Sequence, residues 1–248
     1  MNTLHKTLTL AFMAAFIFLL GINVDVVGAQ SEVTSSGASW RSRDPLLSRY
    51  LRFVRLTAED VLSGDHTGNV VQDQRGLMWI ATLSGLNRFD GTGVKLYRND
   101  PDNPNSLSNN VARALVVDQN GILWVGTWGG GLNQFDRETD TFIHYQHDPD
   151  DSNSLSDNVI WSIFEDSAGI LWVGTENGLN HFDSDSGAFV HYRNDPDEPI
   201  SLSHNSVRAV FEDRSGNLWV GTGGGLDKLN PDRTRITRYQ HDESDPQS

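Results

Sequence analysis

From about Leu51 onward the chain alternates short β-type runs with clusters of turn residues. Val111 to Val117, Ile122 to Thr127, Leu132 to Phe135 and Thr141 to Tyr145 are four such runs, rich in β-branched and aromatic residues. None is long enough, or periodic enough at the helical spacing, to predict a helix. Between the first two, Asp118-Gln-Asn-Gly121 suits a type I turn, with Asp at the first position accepting backbone N–H bonds and Gly at the fourth. Asp136 to Asp140 closes a second hairpin in the same way. The four runs predict a four-stranded antiparallel meander.

This pattern recurs. Asp118-Gln-Asn-Gly121-Ile-Leu-Trp124-Val-Gly-Thr127 returns as Asp166-Ser-Ala-Gly169-Ile-Leu-Trp172-Val-Gly-Thr175 and as Asp213-Arg-Ser-Gly216-Asn-Leu-Trp219-Val-Gly-Thr222. A weaker copy carries Asp73, Gly76, Trp79 and Thr82. Trp79, Trp124, Trp172 and Trp219 are 45, 48 and 47 residues apart. After each comes a Gly-Leu segment (from Gly85, Gly131, Gly178 and Gly225), then Tyr97, Tyr145, Tyr192 or Tyr239, and after the first three an acidic Asp-Pro linker ending in Ser-Leu-Ser. A period of this size indicates a solenoid, a propeller or an array. Four-stranded units packed face to face about an axis are the blades of an all-β propeller, here of about 47 residues each, spanning about 62–98, 108–146, 156–193 and 204–240.

The recurring Trp could offer stacking platforms to a ligand. Its presence in every copy points instead to a core between blades, since a binding site need occur only once. Gly126, Gly174 and Gly221 then allow neighbouring backbones to approach closely, while Ala81 in the first copy shows that the position accepts a methyl.

The Asp-x-x-Gly-x-Leu-Trp-Val-Gly-Thr signature, the Gly-Leu-Asn-x-Phe-Asp segment and the Asp-Pro-Asp…Ser-Leu-Ser linker closely resemble the two-component regulator propeller repeats. The resemblance implies a periplasmic sensor region of a hybrid histidine kinase or a membrane-bound diguanylate cyclase. It also implies two seven-bladed propellers in the parent, a downstream transmembrane helix, a cytoplasmic output domain and a homodimeric receptor. On this reading the four blades are an open, partial ring and an N-terminal fragment. Phe53 to Leu56 would be the outer strand that completes a last blade, and Asp242 to Ser248 matches the linker that should lead into a further blade. Closure of four blades on themselves is the alternative.

The start of the chain is an address rather than a blade. Met1 to Lys6 is weakly basic, Leu8 to Ile22 is almost wholly apolar, and Val27-Gly28-Ala29 offers a cleavage site, so residues 1–29 are expected to be a secretory signal peptide. An uncleaved anchor is the alternative, although the apolar run falls short of the ~20 residues a spanning helix needs. Residues 30–50 read as a flexible leader and 51–248 as the repeats. Export without cysteine leaves stability to packing alone, because the chain has no Cys. Nineteen Lys+Arg against 33 Asp+Glu give a net charge of −14, which disfavours nucleic acid and anionic membrane surfaces as partners.

Candidate chemistry is sought where the copies differ. The loops between second and third strands share a face with the links between blades, and loops on rigid scaffolds carry function. They read Leu83-Ser84, Trp128-Gly-Gly130, Glu176-Asn177 and Gly223-Gly224. Trp128 is the one Trp of the four units outside the repeating core or innermost-strand positions, and Arg113, Trp161 and Arg208 occupy one equivalent place in the innermost strands. With Glu176 and Asn177 they predict a funnel for a small polar ligand, an oligosaccharide among the candidates, with aromatics stacking and polar groups orienting. No cofactor and no metal is expected: the acidic linkers lack calcium-loop spacing, and His144, His147, His181, His191 and His204 share no ligand spacing. No nucleophile, zinc or phosphate-loop motif points to catalysis in this segment. The rival readings are a glycan-active propeller enzyme, for which Glu176 is the obvious carboxylate, and a protein-assembly scaffold.

Overall fold

Sixteen short strands form four antiparallel sheets in the computed structural model, which describes residues 62–64 and 66–242. The expected signal peptide, leader and 53–56 strand, with residues 243–248, lie outside the described residues. Blade 1 comprises β1 (Thr67–Gln72), β2 (Met78–Thr82), β3 (Gly85–Phe89) and β4 (Val94–Tyr97). Blade 2 comprises β5 (Ala112–Val117), β6 (Leu123–Thr127), β7 (Leu132–Asp136) and β8 (Thr141–Tyr145). Blade 3 comprises β9 (Ile160–Glu165), β10 (Leu171–Thr175), β11 (Gly178–Asp183) and β12 (Ala188–Tyr192). Blade 4 comprises β13 (Val207–Glu212), β14 (Leu218–Thr222), β15 (Gly225–Leu229) and β16 (Ile236–Tyr239). Within each sheet the order is that of the sequence, so every blade is a meander. β1, β5, β9 and β13 pack side by side as the innermost strands, and the four blades do not close a ring.

The Asp-x-x-Gly turn does more than reverse the chain. Asp73 Oδ1 accepts the backbone N–H groups of Arg75 and Leu77, while Oδ2 accepts the indole N–H of Trp79 at 3.1 Å. The same three bonds recur at Asp118 with Trp124, Asp166 with Trp172 and Asp213 with Trp219, with indole N–H distances of 2.9, 2.8 and 2.9 Å. Gly closes each turn at positive φ, 83° at Gly76 and 78° at Gly121, a region open to Gly at no steric cost. Each indole thus enters the core with its single polar group satisfied.

Consecutive blades clamp the first three of these Trp residues. Trp79 meets Phe135 of blade 2 edge-on with ring centroids 4.8 Å apart, and Trp124 meets Phe182 of blade 3 at 5.3 Å. Trp172 is buried in the same cluster as Leu229, the blade 4 equivalent of those Phe residues. Trp219, with no blade on its far face among the described residues, is only half-buried. A β-carbon on Gly126 would lie 2.4 Å from Ile160 Cγ2, and one on Gly174 would lie 2.8 Å from Val207 Cγ1. Ala81 is tolerated because the equivalent partner in blade 2 is the small Ala112, in the same core cluster.

The linkers plug the ends of the blades. Leu107, Leu155 and Leu202 are fully buried, and the following Ser donates its backbone N–H to Asn133 or Asn180, or to Asp227, of its own blade. The histidines find structural work here. His144 Nε2 and His191 Nε2 each lie 2.7 Å from a linker carbonyl, of Ser106 and Ser154, and His147 Nδ1 lies 2.8 Å from that of Leu155.

Candidate functional site

Three of the residues predicted to line the funnel, Arg113, Trp161 and Arg208, come from innermost strands, and a local backbone feature puts them there. In β5 the register passes from Ala112↔Thr127 to Ala114↔Gly126, leaving Arg113 without a partner in the ladder. In β9 it passes from Ile160↔Thr175 to Ser162↔Gly174, leaving Trp161; in β13 it passes from Val207↔Thr222 to Ala209↔Gly221, leaving Arg208. Each is the extra residue of a β-bulge, a device that redirects a side chain and recurs beside functional sites. The bulge in β1 falls between Thr67 and Val70, where Gly68 lies against the Arg113 backbone: a β-carbon there would be 2.9 Å from the Arg113 carbonyl oxygen.

The redirected side chains meet. The Arg113 guanidinium lies 4.7 Å from the Trp128 ring centre and 4.3 Å from that of Trp161. Trp128 and Trp161 contact each other edge to face at 4.8 Å, and the Arg208 guanidinium lies 5.5 Å from Trp161. Glu176 Oε2 accepts the Trp161 indole N–H at 2.6 Å and the Ser206 hydroxyl at 3.0 Å. Blades 2, 3 and 4 therefore contribute to one cluster. Trp128 is 40% exposed and Glu176 is exposed, so the cluster opens to solvent.

Trp128 is anchored by its backbone. Its N–H donates to the Val111 carbonyl and it forms an isolated antiparallel bridge with Val159 of the next linker. Gly129 and Gly131 N–H groups both donate to the Asn158 carbonyl. This loop, one residue longer than its counterparts, is thus tied to blade 3.

Five of the six candidate residues converge. Asn177 does not join them: its N–H donates to Thr175 Oγ1 and its carbonyl accepts from Arg193 Nε. Sequence reasoning missed Ser206, which holds Glu176 from the neighbouring blade, and it missed the bulges. A serine at the start of an innermost strand carries no signal that it will face a carboxylate 30 positions earlier. Among the described residues no group of three His, Asp or Glu is placed to hold a metal ion.

The arrangement presents two indole rings, two guanidiniums and one carboxylate at an opening exposed to solvent. Comparison with known proteins agrees with the architecture. The family model described as two component regulator propeller matches residues 106–129, 154–177 and 201–224. Histidine kinase P4 of Formosa agariphila is 41% identical over 56 residues, covering 23% of this chain and 4% of that protein. The extracellular domain of a protein described as a hybrid two component system, from B. thetaiotaomicron, superposes with a TM-score of 0.69 at 30% identity. That match covers 76% of this chain and 26% of the other. The extracellular domain of a second B. thetaiotaomicron protein, described as a one component system, gives 0.58 at 30% identity over 70% of this chain and 25% of that one. The chain spans about a quarter of these extracellular domains.

Proposed function

We propose, from three segments that match the two component regulator propeller repeat, that the chain is the ligand-sensing part of an exported receptor. In this reading ligand capture on the propeller is passed to a cytoplasmic kinase or cyclase belonging to the same receptor, a homodimer anchored in the inner membrane. The segment senses and does not catalyse. Its ligand is a small polar molecule, with oligosaccharides among the candidates. Support comes from the named relatives, which are extracellular domains of signalling systems and a histidine kinase.

One observation carries the reading: Arg113, Trp161 and Arg208, each displaced by a bulge in the innermost strand of its blade, meet the loop residues Trp128 and Glu176 at one opening.

The test is a screen of small polar compounds and oligosaccharides, followed by Trp emission, since two indoles sit in the cluster. A compound that binds wild type is expected to lose at least tenfold in affinity on Trp128→Ala and on Arg113→Ala. Unchanged affinity in both variants would remove this site.

A further inference from the structure

We propose that the funnel holds its ligand through an anionic oxygen group, a carboxylate or sulfate, captured by Arg113 and Arg208. This rests on the ligand-sensing reading and adds the charge class of what is sensed.

The argument begins with what buried or half-buried arginines do elsewhere in the molecule. Arg88 reaches Asp140, Arg137 reaches Asp73, and Arg233 reaches both Asp166 and Glu212. Arg238 donates to the carbonyls of Ser201 and Glu198. Arg113 is half-buried like these four, yet it faces two indole rings and has no carboxylate or carbonyl acceptor among the described residues. In a chain with 33 acidic residues such isolation is not forced by scarcity.

Stacking explains how the group is held ready. The guanidinium carbon lies 4.3 Å from the Trp161 ring centre and 4.7 Å from that of Trp128, within cation–π reach of both indoles. The five N–H donors lie in the plane, along the edge, and remain available for a planar, bidentate acceptor. Arg208, exposed and 5.5 Å from the same Trp161 ring, adds a second unpaired guanidinium. A lysine could not be stacked and presented in this way.

The local carboxylate does not neutralise them. Glu176 spends Oε2 on Trp161 and Ser206, and no ion pair joins it to either arginine. Its role is to fix the Trp161 ring on which both guanidiniums rest. Two cations against one committed anion leave a local positive excess on a chain of net charge −14. An anionic oxygen group adds Coulomb attraction to both guanidiniums and can take the guanidinium fork bidentately, neither of which a neutral hydroxyl offers, so the arginines favour an anionic ligand.

The experiment titrates the full chain with citrate, with sodium sulfate and with glucose at constant ionic strength, reading Trp emission and heat. Saturable binding of citrate and sulfate without a matching glucose response is expected. Arg208→Gln should weaken citrate at least tenfold. Arg113→Lys, which keeps the charge and loses the fork, should also weaken it, while Arg75→Gln, an exposed arginine on the blade 1 turn, should leave it unchanged. Arg208 is exposed, so its variant reports even where Arg113 variants unfold. Citrate affinity equal in wild type and Arg208→Gln overturns the proposal. Neutral saccharides binding with Trp128 and Arg113 dependence while neither anion binds would overturn the charge class and leave the sensing reading standing. A ligand unaffected by Trp128, Arg113 and Arg208 alike would overturn both.

Discussion

Asp227 stands where the three preceding blades carry Asn87, Asn133 and Asn180. Each Asn donates Nδ2 both to a linker Ser hydroxyl and to a carbonyl of the neighbouring strand, Ile80, Val125 or Val173. A carboxylate has no such proton. Asp227 Oδ2 accepts from the Ser203 N–H and hydroxyl, but Oδ1 is buried without a partner. Burial pushes its pKa up, and the Ser203 bonds and the charge of Arg238 offset this only in part. A folded pKa above the unfolded one contributes stability below the unfolded pKa and loses it as pH rises through the folded value. Asp227→Asn restores the missing donor, so it is expected to stabilise by about 1–3 kcal/mol at neutral pH and by less near about pH 4. Urea midpoints across that range measure it, and a variant no more stable than wild type at neutral pH would show that Asp227 is already satisfied. The substitution was visible in the sequence, but the reason it matters was not, because the second acceptor belongs to a neighbouring strand. The Asp–Trp bond six residues apart was hidden likewise: the turn reading explained Asp fully without it.

Between elements, the close approach of blades makes residue sizes interdependent. Gly126 faces Ile160 and Gly174 faces Val207, whereas Ala81 is matched with Ala112. Gly126→Ala places a methyl 2.4 Å from Ile160 Cγ2 and is expected to cost about 1–3 kcal/mol by overpacking. Ile160→Ala alone should cost about 2–5 kcal/mol through the cavity it leaves. The double variant recreates the pairing of the first interface and should cost clearly less than the two singles together, a coupling a double-mutant cycle reads directly. Additive losses would mean the Gly serves only its own backbone. A larger truncation gives a simpler check: Phe135→Ala uncovers Trp79 and should cost about 3–5 kcal/mol in denaturant unfolding, with no loss meaning that blade 2 does not clamp that indole. Blades, strands and clamped Trp residues were legible because four copies average out the ambiguity of any single short run. The bulges were not. Gly68, Arg113, Trp161 and Arg208 look like ordinary strand residues, and an inserted residue shows only when the partner strand is known.

Across the molecule, the three interfaces use different polar ties, and this sets how the blades come apart. Blades 1 and 2 are joined by Arg137 on Asp73 and by Arg88, Lys95 and Tyr97 on Asp140. Blades 3 and 4 are joined by Arg233, which bridges Asp166 and Glu212, with Glu212 also accepting the Ser167 N–H. Blades 2 and 3 have the corresponding Glu165–Gln119 bond and no ion pair among the described residues. Burial alone would raise the pKa values of Asp73, Asp140 and Asp166, but hydrogen bonds and the facing cations outweigh it and hold all three low. A depressed carboxylate supplies stability above its unfolded pKa and loses it as pH falls through the folded one. Glu165 runs the other way: burial raises it, so acid protonates it without penalty to the fold. In a linear array, stability is a sum of units and nearest-neighbour interfaces. Acidification from about pH 6 to about pH 3 should therefore loosen the outer interfaces while the central pair of blades persists. Hydrogen exchange, corrected for intrinsic rates, should show protection lost first in β2–β3 and β14–β15 and last in β6 and β10. Arg233→Ala should bring the loss in blade 4 to higher pH and leave blade 1 unaffected. Uniform loss across all four blades, or an Arg233→Ala effect that spreads equally to blade 1, would show that the blades unfold as one cooperative body and that the interface ties do not set the order.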